Sequence, residues 1–281
     1  MRILSIMEQL TNRLQKRQPL SRELLNRYLK TKYLGRSLCL EVSVPSTNAI
    51  AKQLAHQNAP HGLLVAAEEQ TGGKGRIGRG WSSPEGRGLW FSVVLRPKFP
   101  PEEAPKCTLM AAVAVVEAIN YCGGITAKIK WPNDILFEKK KMVGILSEMG
   151  AEYGKLNYVV IGIGIDTHVE PEDLPEDVKP IAVSLHRVAA KDFTREELLV
   201  RIMGNLEDLC QEAEERGFEG IFDRWRGLSC TLHERVKVIA QDETYPGVAL
   251  DIDRDGHLLV QRDDGRVTAV VAGDVSIRYA E

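Results

Sequence analysis

Apolar residues along this chain repeat at two spacings, one typical of helices and the other typical of β-strands. Thr108–Tyr121 is almost wholly apolar and is followed by Gly123 and Gly124, which predicts a buried helix. Apolar and polar residues alternate in Ile125–Lys130, which predicts a strand with Lys130 on its polar face. The same reasoning predicts strands at Leu38–Val44, Leu63–Glu68, Leu89–Leu95, Asp134–Phe137, Met142–Glu148 and Tyr158–Asp166.

Both ends of the chain differ in pattern from its middle. Leucines at helical spacing in residues 1–35 predict a helical segment, which is too short for the three helices and wing of a complete winged helix-turn-helix. From Thr231 onward, short apolar runs alternate with acidic turns, and this pattern predicts a small β-barrel. We therefore expect a helical segment at 1–35, a main domain at 36–230 and a barrel at 231–281.

The composition excludes several classes of protein. Hydrophobic residues make up 43% and charged residues 27%, and the net charge of −2 gives no overall attraction to nucleic acid or an acidic membrane. The longest apolar run, Leu109–Val116, is far shorter than a membrane span. Scattered cysteines without a Cys-x-x-Cys pair are typical of a reducing compartment, and Met1–Leu10 lacks the apolar core of a signal peptide. We therefore expect a cytoplasmic protein.

The most distinctive stretch is Gln70–Trp81, in which five glycines are interleaved with three cations. Glycine lets backbone N–H groups turn toward an anion, and Lys74, Arg76 and Arg79 add charge-assisted hydrogen bonds suited to carboxylate or phosphate. The stretch lacks the Gly-Lys-Ser/Thr ending of a P-loop and does not match the dinucleotide-binding fingerprint. On these residues alone, an anion-binding loop and a basic, flexible surface loop both fit the pattern.

Two further stretches place polar side chains at the ends of predicted elements. Pro45–Asn48 predicts a helix start, where the hydroxyl and amide side chains either cap the helix or face a ligand. Lys130 ends a predicted strand immediately before Trp131–Asp134, which contains a rigid proline turn. At such a position a lysine is either solvated or held toward a ligand, and both interpretations remain open.

Gly162 and Gly164 share one face of the predicted strand Tyr158–Asp166. Two glycines on the same face weaken a strand and bury no side chain, so packing alone does not explain them. They would leave a bare stretch of backbone, on which a ring could lie or which a helix could cross closely.

Together, these stretches resemble the signature blocks of biotin protein ligases. Three blocks are Ser46-Thr47-Asn48, the run from Gly73 to Trp81, and Lys130-Trp131-Pro132-Asn133-Asp134. Lys141–Leu146 and Gly162–Ile165 match two others. Each block is weak by itself, but five in the family's order leave little room for coincidence. The resemblance runs from about Leu24 to the C-terminal barrel.

The resemblance implies an α+β fold, with a central mixed β-sheet flanked by helices and a small C-terminal SH3-like β-barrel. It also implies that biotin and Mg-ATP form biotinyl-5′-AMP, which a lysine of a biotin carboxyl carrier protein then attacks. The short N-terminal segment favours the monofunctional type, a ligase without specific DNA binding. The metal ligands and the formation of a homodimer are left open.

Residue-by-residue matching to these blocks implies the site. Biotin would be bound by Ser46, Thr47, Asn48, Gln70, Lys74, Gly75, Arg76, Lys130, Gly162 and Gly164. ATP and the adenylate would be bound by Lys74, Arg76, Arg79, Trp81, Lys130 and Asp166. Arg76 and Lys130 would be catalytic, because their charges offset the repulsion between a carboxylate and the α-phosphate.

Two residues depart from the family's usual pattern. Lys74 stands where arginine is commoner, so the charge is kept but the bidentate geometry is lost. Asp166 brings a carboxylate where an adenine-contacting amide is usual. We therefore expect Asp166 to contact ribose or to lie near the metal.

Two other functions compete with this interpretation. A lipoate or octanoate protein ligase would share the fold, but it lacks the Gly-Lys-Gly-Arg and Lys-Trp-Pro-Asn-Asp blocks. A nucleic-acid-binding regulator would use the basic loop and the barrel. That function predicts duplex binding that weakens steeply with salt.

Overall fold

The computed structural model describes residues 18–240, 242–272 and 276–279. The larger of its two sheets contains β1 (Leu38–Val44), β2 (Leu64–Gln70), β3 (Leu89–Leu95), β4 (Lys128–Lys130), β5 (Asp134–Phe137), β6 (Lys140–Glu152) and β7 (Lys155–Ile165). The smaller contains β8 (Arg235–Ile239), β9 (Thr244–Ile252), β10 (Leu258–Arg262), β11 (Val267–Val270) and β12 (Ser276–Tyr279). The helices are α1 (Arg22–Tyr28), α2 (Thr47–His56), α3 (Lys106–Gly123), α4 (Leu185–Val188), α5 (Arg195–Arg216) and α6 (Glu219–Leu228).

The larger sheet is mixed, with the strand order β1-β2-β3-β7-β6-β5-β4. β1 and β2 are parallel and are connected by α2, whereas the other neighbouring pairs are antiparallel. β7, which carries the paired glycines, therefore lies between the strand that follows the Gly-rich stretch and the hairpin that follows Lys130. The central mixed sheet that the family resemblance implies is confirmed.

The two faces of β7 have different neighbours, because successive side chains of a strand point to opposite faces. Ile161, Ile163 and Ile165 are buried in the main hydrophobic core, which α3 and α5 share. On the opposite face, Val160 packs with Ala51 of α2. The glycines of β7 lie on this second face, and Gly162 lies against Asn48 in the first turn of α2.

α3 is the buried helix that its apolar sequence predicts. It is long and apolar enough to cross a membrane, but 78% of it is buried inside the protein. Gly124 ends it in the left-handed conformation, with φ of 64°, as the pair of glycines predicts. α3 is therefore a core helix of the main domain.

The smaller sheet lies where the sequence predicts a small β-barrel, and we call it the barrel; its five antiparallel strands have the order β11-β10-β9-β8-β12. Hydrogen bonds connect the barrel to Trp131, the residue that follows Lys130. The backbone N–H of Trp131 donates to Thr231 Oγ1 at 2.9 Å, and its indole N–H donates to Gly256 O at 3.0 Å. The segment that carries Lys130 is therefore held by the barrel.

Within residues 18–35, the helix is shorter than the sequence predicts. The helix expected in residues 1–17 lies outside the described residues, and within 18–35 only Arg22–Tyr28 is helical. The chain becomes extended at Leu29, which has φ of −60° and ψ of 124°. The carboxylate of Glu207 in α5 then accepts the backbone N–H groups of residues 32–34 at 2.6–2.9 Å. Hydrogen bonds to a residue far along the chain thus replace the helical bonds that the leucine spacing predicted.

Candidate active site

A cleft opens on the sheet face that carries Gly162, and the barrel closes one side of it through Ile277. Twelve of the thirteen site residues predicted from the sequence line this cleft: Ser46, Thr47, Asn48, Gln70, Lys74, Gly75, Arg76, Arg79, Trp81, Lys130, Gly162 and Gly164. Asp166 does not line it. Stretches that are distant in sequence are therefore brought together around one space.

The N-terminal end of α2 forms a hydrogen-bonded network with β2. The backbone N–H and the hydroxyl of Thr47 lie 2.9 and 3.1 Å from Gln70 Oε1. Gln70 in turn donates from Nε2 to Ser83 Oγ at 2.9 Å. Ser46 occupies the N-cap position and is buried, but its side chain makes no capping hydrogen bond. This favours a ligand-facing role for Ser46 over a purely capping one.

Asn48 lies against the first glycine of β7. Its Nδ2 donates to Glu148 Oε2 at 2.8 Å and to Leu146 O at 3.2 Å. Its Oδ1 lies 2.6 Å from the hydroxyl of Ser92. A Cβ on Gly162 would come within 2.0 Å of this oxygen. Gly162 therefore makes room for the close approach of α2, which is one of the two interpretations of the paired glycines.

The Gly-rich stretch folds back on itself as a short hairpin. The backbone N–H of Trp81 donates to Gly73 O at 2.9 Å, and Lys74 pairs with Gly80 across the hairpin. The turn has positive φ at Ile77 (54°) and at the glycine after it (67°), as in a type I′ turn. A β-branched residue is strained at such a φ, so only the glycine fits this backbone without cost.

The indole of Trp81 covers the second glycine of β7. A Cβ on Gly164 would lie 2.4 Å from Trp81 Nε1, and one on Gly144 of β6 would lie 2.8 Å from the six-membered ring. Lys141 Nζ lies 5.0 Å from the ring centroid, within cation–π range. Trp81 Nε1 is buried and has no hydrogen-bond acceptor among the described residues. The ring that lies on Gly164 is therefore the indole of Trp81.

Arg76 joins the hairpin to two other parts of the cleft. It donates from Nη1 to Asn133 Oδ1 at 3.0 Å and from Nη2 to the backbone oxygen of Ala272 in the barrel. Asn133 is itself fixed, because it exchanges two hydrogen bonds of 2.9 Å with the backbone of Ile145 in β6. Arg76 is therefore positioned by the Lys130 block and by the C-terminal barrel together.

Lys130 ends β4 inside the cleft, as the alternation in its strand predicts. Burial lowers the pKa of its ammonium group below the usual value. The Asp134 carboxylate opposes this shift, while the nearby cations Lys141 and Arg278 add to it. Lys141 Nζ also lies 2.7 Å from Asp134 Oδ1. Lys130 is thus a partly desolvated cation among other charges.

Asp166 lines a second cavity, which it shares with Ser184 at the start of α4. Asp166 directly follows the last residue of β7 and is two residues after Gly164, which the indole of Trp81 covers. Asp166 Oδ1 and Ser184 Oγ are buried and have no hydrogen-bond partner among the described residues. Burial raises the pKa of the Asp166 carboxyl well above its usual value, against the opposing charge of Lys141. Asp166 is therefore close to the cleft but not part of its lining.

Sequence reasoning missed four residues that complete the site: Ser92, Asn133, Lys141 and Glu148. Asn133 and Lys141 lie within matched blocks, but the matching gave them no role. Ser92 is fully buried in an otherwise apolar strand, and a lone hydroxyl in such a strand was the available signal. Glu148 had no comparable signal, because a glutamate at the end of a strand is usually solvated.

Two family models match the chain. The model described as "Biotin/lipoate A/B protein ligase family" covers residues 40–166, which include most of the larger sheet. The model described as "Biotin protein ligase C terminal domain" covers residues 231–278, which include the smaller sheet. Together they span both of the sheets that form the cleft.

Relatives and solved structures agree with these models. The chain is 39% identical over 249 residues to the bifunctional ligase/repressor BirA of Bacillus subtilis, covering 89% of this chain and 76% of that one. It is 31% identical over 246 residues to the biotin–[acetyl-CoA-carboxylase] ligase of Mycobacterium tuberculosis, covering 85% and 88%. Its structure is similar to biotin protein ligase from Aquifex aeolicus in complex with biotin and ATP, with a TM-score of 0.74 and 27% identity over 87% of this chain and 100% of that one. The chain belongs to the biotin protein ligase family.

Proposed function

We propose that this biotin protein ligase carries out its reaction in two steps within the cleft. A carboxylate oxygen of biotin attacks the α-phosphorus of ATP, which forms biotinyl-5′-AMP and releases pyrophosphate. The amine of a carrier-protein lysine then attacks the acyl carbon, which forms an amide and releases AMP. The observation that carries this proposal is the convergence of Lys130 and the cationic hairpin on a cleft that begins at the polar network of α2.

Arg76 and Lys130 are the proposed catalytic residues. Bringing a carboxylate to the α-phosphate places negative charges together, and these two cations with Lys74 offset the repulsion. Burial lowers the pKa of Lys130, and an anion bound beside it would shift that pKa upward again and stabilise the charged form. Neither step requires a nucleophile from the protein.

The biotin head is proposed to bind at the N-terminal end of α2. Ser46, Thr47, Asn48 and Gln70 line the cleft there, and three of them already share a hydrogen-bonded network. Gly162 forms the adjacent floor. From this end, the valeryl chain would lead its carboxylate toward Lys74, Gly75 and Arg76 of the hairpin.

The nucleotide is proposed to bind at the Trp81 end of the cleft. Arg79 and Trp81 line this end, and the indole on Gly164 offers a flat apolar surface. The buried oxygen of Asp166, two residues after Gly164, has no partner among the described residues. We propose that this oxygen hydrogen-bonds a ribose hydroxyl of the bound nucleotide, because buried polar groups usually have such a partner.

Magnesium is proposed to enter bound to ATP. It prefers oxygen ligands and is usually held largely by the phosphates of a nucleotide, whose charge it neutralises. Among the described residues that line the cleft, only Asp134 carries a carboxylate, and Lys141 is paired with it. The protein therefore offers one candidate ligand, which fits a metal carried by the nucleotide better than a cage built by the protein.

The proposed acceptor is a biotin carboxyl carrier protein or domain, and the proposed location is the cytoplasm.

We also propose the monofunctional type, without specific DNA binding, although the Bacillus subtilis relative is a ligase/repressor. The proposed units are the segment 1–35, a catalytic domain at 36–230 and the barrel at 231–281. Duplex titrations at increasing salt test the DNA proposal, since a tight sequence-specific complex would contradict it. Sedimentation tests for a homodimer.

ATP–pyrophosphate exchange driven by each acid tests the reaction. We expect exchange with biotin and none above background with lipoate, and the reverse result would favour a lipoate ligase. Native mass spectrometry of the purified protein provides a second readout. A co-purifying mass equal to that of biotinyl-5′-AMP would identify the substrate and the intermediate together.

A further inference from the structure

We infer that Glu148 is a positioning residue for biotin recognition, because it fixes which end of the Asn48 amide faces the ligand. The inference rests on the proposed function, in which the N-terminal end of α2 binds the biotin head. Glu148 does not line the cleft, and it lies outside the blocks that resemble the family. Its role therefore follows from its contacts in this chain.

The nitrogen end of the Asn48 amide is fully used by groups that only accept hydrogen bonds. Nδ2 donates to Glu148 Oε2 at 2.8 Å and to the backbone oxygen of Leu146 at 3.2 Å. An amide nitrogen carries two hydrogens, and a carboxylate and a carbonyl both accept. If the amide were rotated by 180°, its oxygen would face these two oxygens, so this arrangement determines its orientation.

The oxygen end of the amide consequently points to the sheet face inside the cleft. Asn48 Oδ1 lies 2.6 Å from Ser92 Oγ, and the missing Cβ of Gly162 leaves the space that it occupies. Ser92 has one proton, and its oxygen also lies 2.8 Å from Thr47 Oγ1. Because a carbonyl oxygen has two lone pairs, at least one lone pair of Asn48 Oδ1 is left over after the hydrogen bond from Ser92, and this is the lone pair that a ligand in the proposed site would use. The ureido ring of biotin presents N–H donors, which suit such an acceptor.

Glu148 is held as a carboxylate by its other neighbours. Lys52 Nζ of α2 lies 2.6 Å from Glu148 Oε1. Burial by itself raises the pKa of Glu148, but hydrogen bonds from Lys52 and Asn48 outweigh burial and bring the pKa below its usual value. Near neutral pH the side chain therefore has no proton to donate, and it can only accept from Asn48.

Glu148→Gln tests the inference with little change of shape. The glutamine can donate as well as accept, so position 148 no longer selects the orientation of the Asn48 amide, and only the carbonyl of Leu146 still requires its nitrogen. In biotin-dependent ATP–pyrophosphate exchange we expect the KM for biotin to rise about tenfold, while the KM for ATP and kcat change less than about twofold. A structural role alone would not separate the two KM values, and an unchanged thermal midpoint would show that the fold is intact.

Three further variants sharpen the test. Glu152→Gln makes the same chemical change four residues along β6, at an exposed position, and should leave the KM for biotin unchanged. Lys52→Met removes the ion pair but keeps the acceptor, so it should raise that KM less than about threefold. Glu148→Asp keeps a carboxylate on a shorter stem and should fall between the wild type and Glu148→Gln.

A double-mutant cycle identifies the residue through which Glu148 acts. In an Asn48→Ala background, Glu148→Gln should raise the KM for biotin less than about twofold further, because the amide to be oriented is gone. Additive effects, or an unchanged KM for biotin in the single Glu148→Gln variant, would overturn the inference. Wild-type protein without any biotin-dependent exchange would overturn the proposed function itself, so the two failures are distinguishable.

Discussion

The two ends of the cleft differ in how far their polar groups are satisfied before a ligand binds. At the α2 end, Thr47, Asn48 and Gln70 are joined by hydrogen bonds to one another or to neighbouring strands. At the other end, Trp81 Nε1 is buried without a partner among the described residues, and so is Asp166 Oδ1 in the second cavity. Buried polar groups in proteins nearly always have partners, so this end is the one that a ligand would complete.

This difference suggests that the two substrates are recognised in different ways. A preformed network binds its ligand with little loss of conformational freedom, which favours affinity and selectivity. Groups left unsatisfied raise the free energy of the ligand-free protein, and a ligand that satisfies them recovers this cost. We therefore expect substitutions at the α2 end to affect biotin first, and those at the Trp81 end to affect ATP first.

The largest effect is expected from Arg76→Ala, which removes the residue that lies between the two ends. Adenylate formation should fall about 10²- to 10³-fold in kcat, as when one donor to a charged transition state is lost. The variant should retain its thermal midpoint, because a cation of the hairpin contributes little to the core. Pyrophosphate exchange at wild-type rates would show that Arg76 has no part in the chemistry.

Lys130→Ala should be the next in size. Loss of roughly 2 kcal/mol of transition-state stabilisation corresponds to about a 30-fold lower kcat/KM, for either substrate. Because Lys130 would contact both the carboxylate and the phosphate, kcat/KM should fall by a similar factor for biotin and for ATP. Near-normal kcat in the exchange assay would exclude Lys130 from the mechanism.

A pair of glycine substitutions compares the two ends directly. In Gly162→Ala the new Cβ meets Asn48 Oδ1 at 2.0 Å, and in Gly164→Ala it meets Trp81 Nε1 at 2.4 Å. We expect Gly162→Ala to raise the KM for biotin about tenfold and Gly164→Ala to raise that for ATP by a similar factor. Both KM values should be measured for both variants. Equal rises in the two KM values would contradict the proposal that biotin and ATP bind at different ends of the cleft.

The smallest effect is expected from Asp166→Asn, and the quantity that changes is the free energy of unfolding. The raised pKa means that the folded state keeps the proton to higher pH than the unfolded state, whose carboxyl titrates near 3.8. The contribution of Asp166 to the free energy of unfolding should therefore fall as pH rises above that value, by at most about 1.4 kcal/mol per pH unit. The variant lacks this contribution. In urea unfolding from about pH 4 to pH 7, the free energy of unfolding of the wild type minus that of Asp166→Asn should therefore decrease as pH rises.

The sequence predicted the elements and the blocks of this site well, because both depend on local patterns. The apolar run of α3 and the alternation before Lys130 each predict their own element. The first turn of α2 and the Gly-rich stretch carry enough local chemistry to mark them as binding candidates. Each of these features lies within about a dozen consecutive residues, so no knowledge of the fold is needed.

The arrangement between blocks could not be predicted in the same way. That Asn48 covers Gly162 and that Trp81 covers Gly164 depends on β7 lying between β3 and β6. The sequence suggested a bare floor there and could not indicate that side chains of the protein cover it. The contact between Arg76 and Ala272, nearly 200 residues apart, likewise exists only once the barrel has docked.

The hydrogen bonds between Trp131 and the barrel limit how this ligase can be shortened. Trp131 follows Lys130 directly, and both of its N–H groups donate to residues beyond position 230. Removing the barrel would take away both acceptors and the part of the core that the indole shares with the barrel, next to the cation of the cleft. A minimal enzyme cut at the end of α6 should therefore need these two acceptors rebuilt before Lys130 could regain its position.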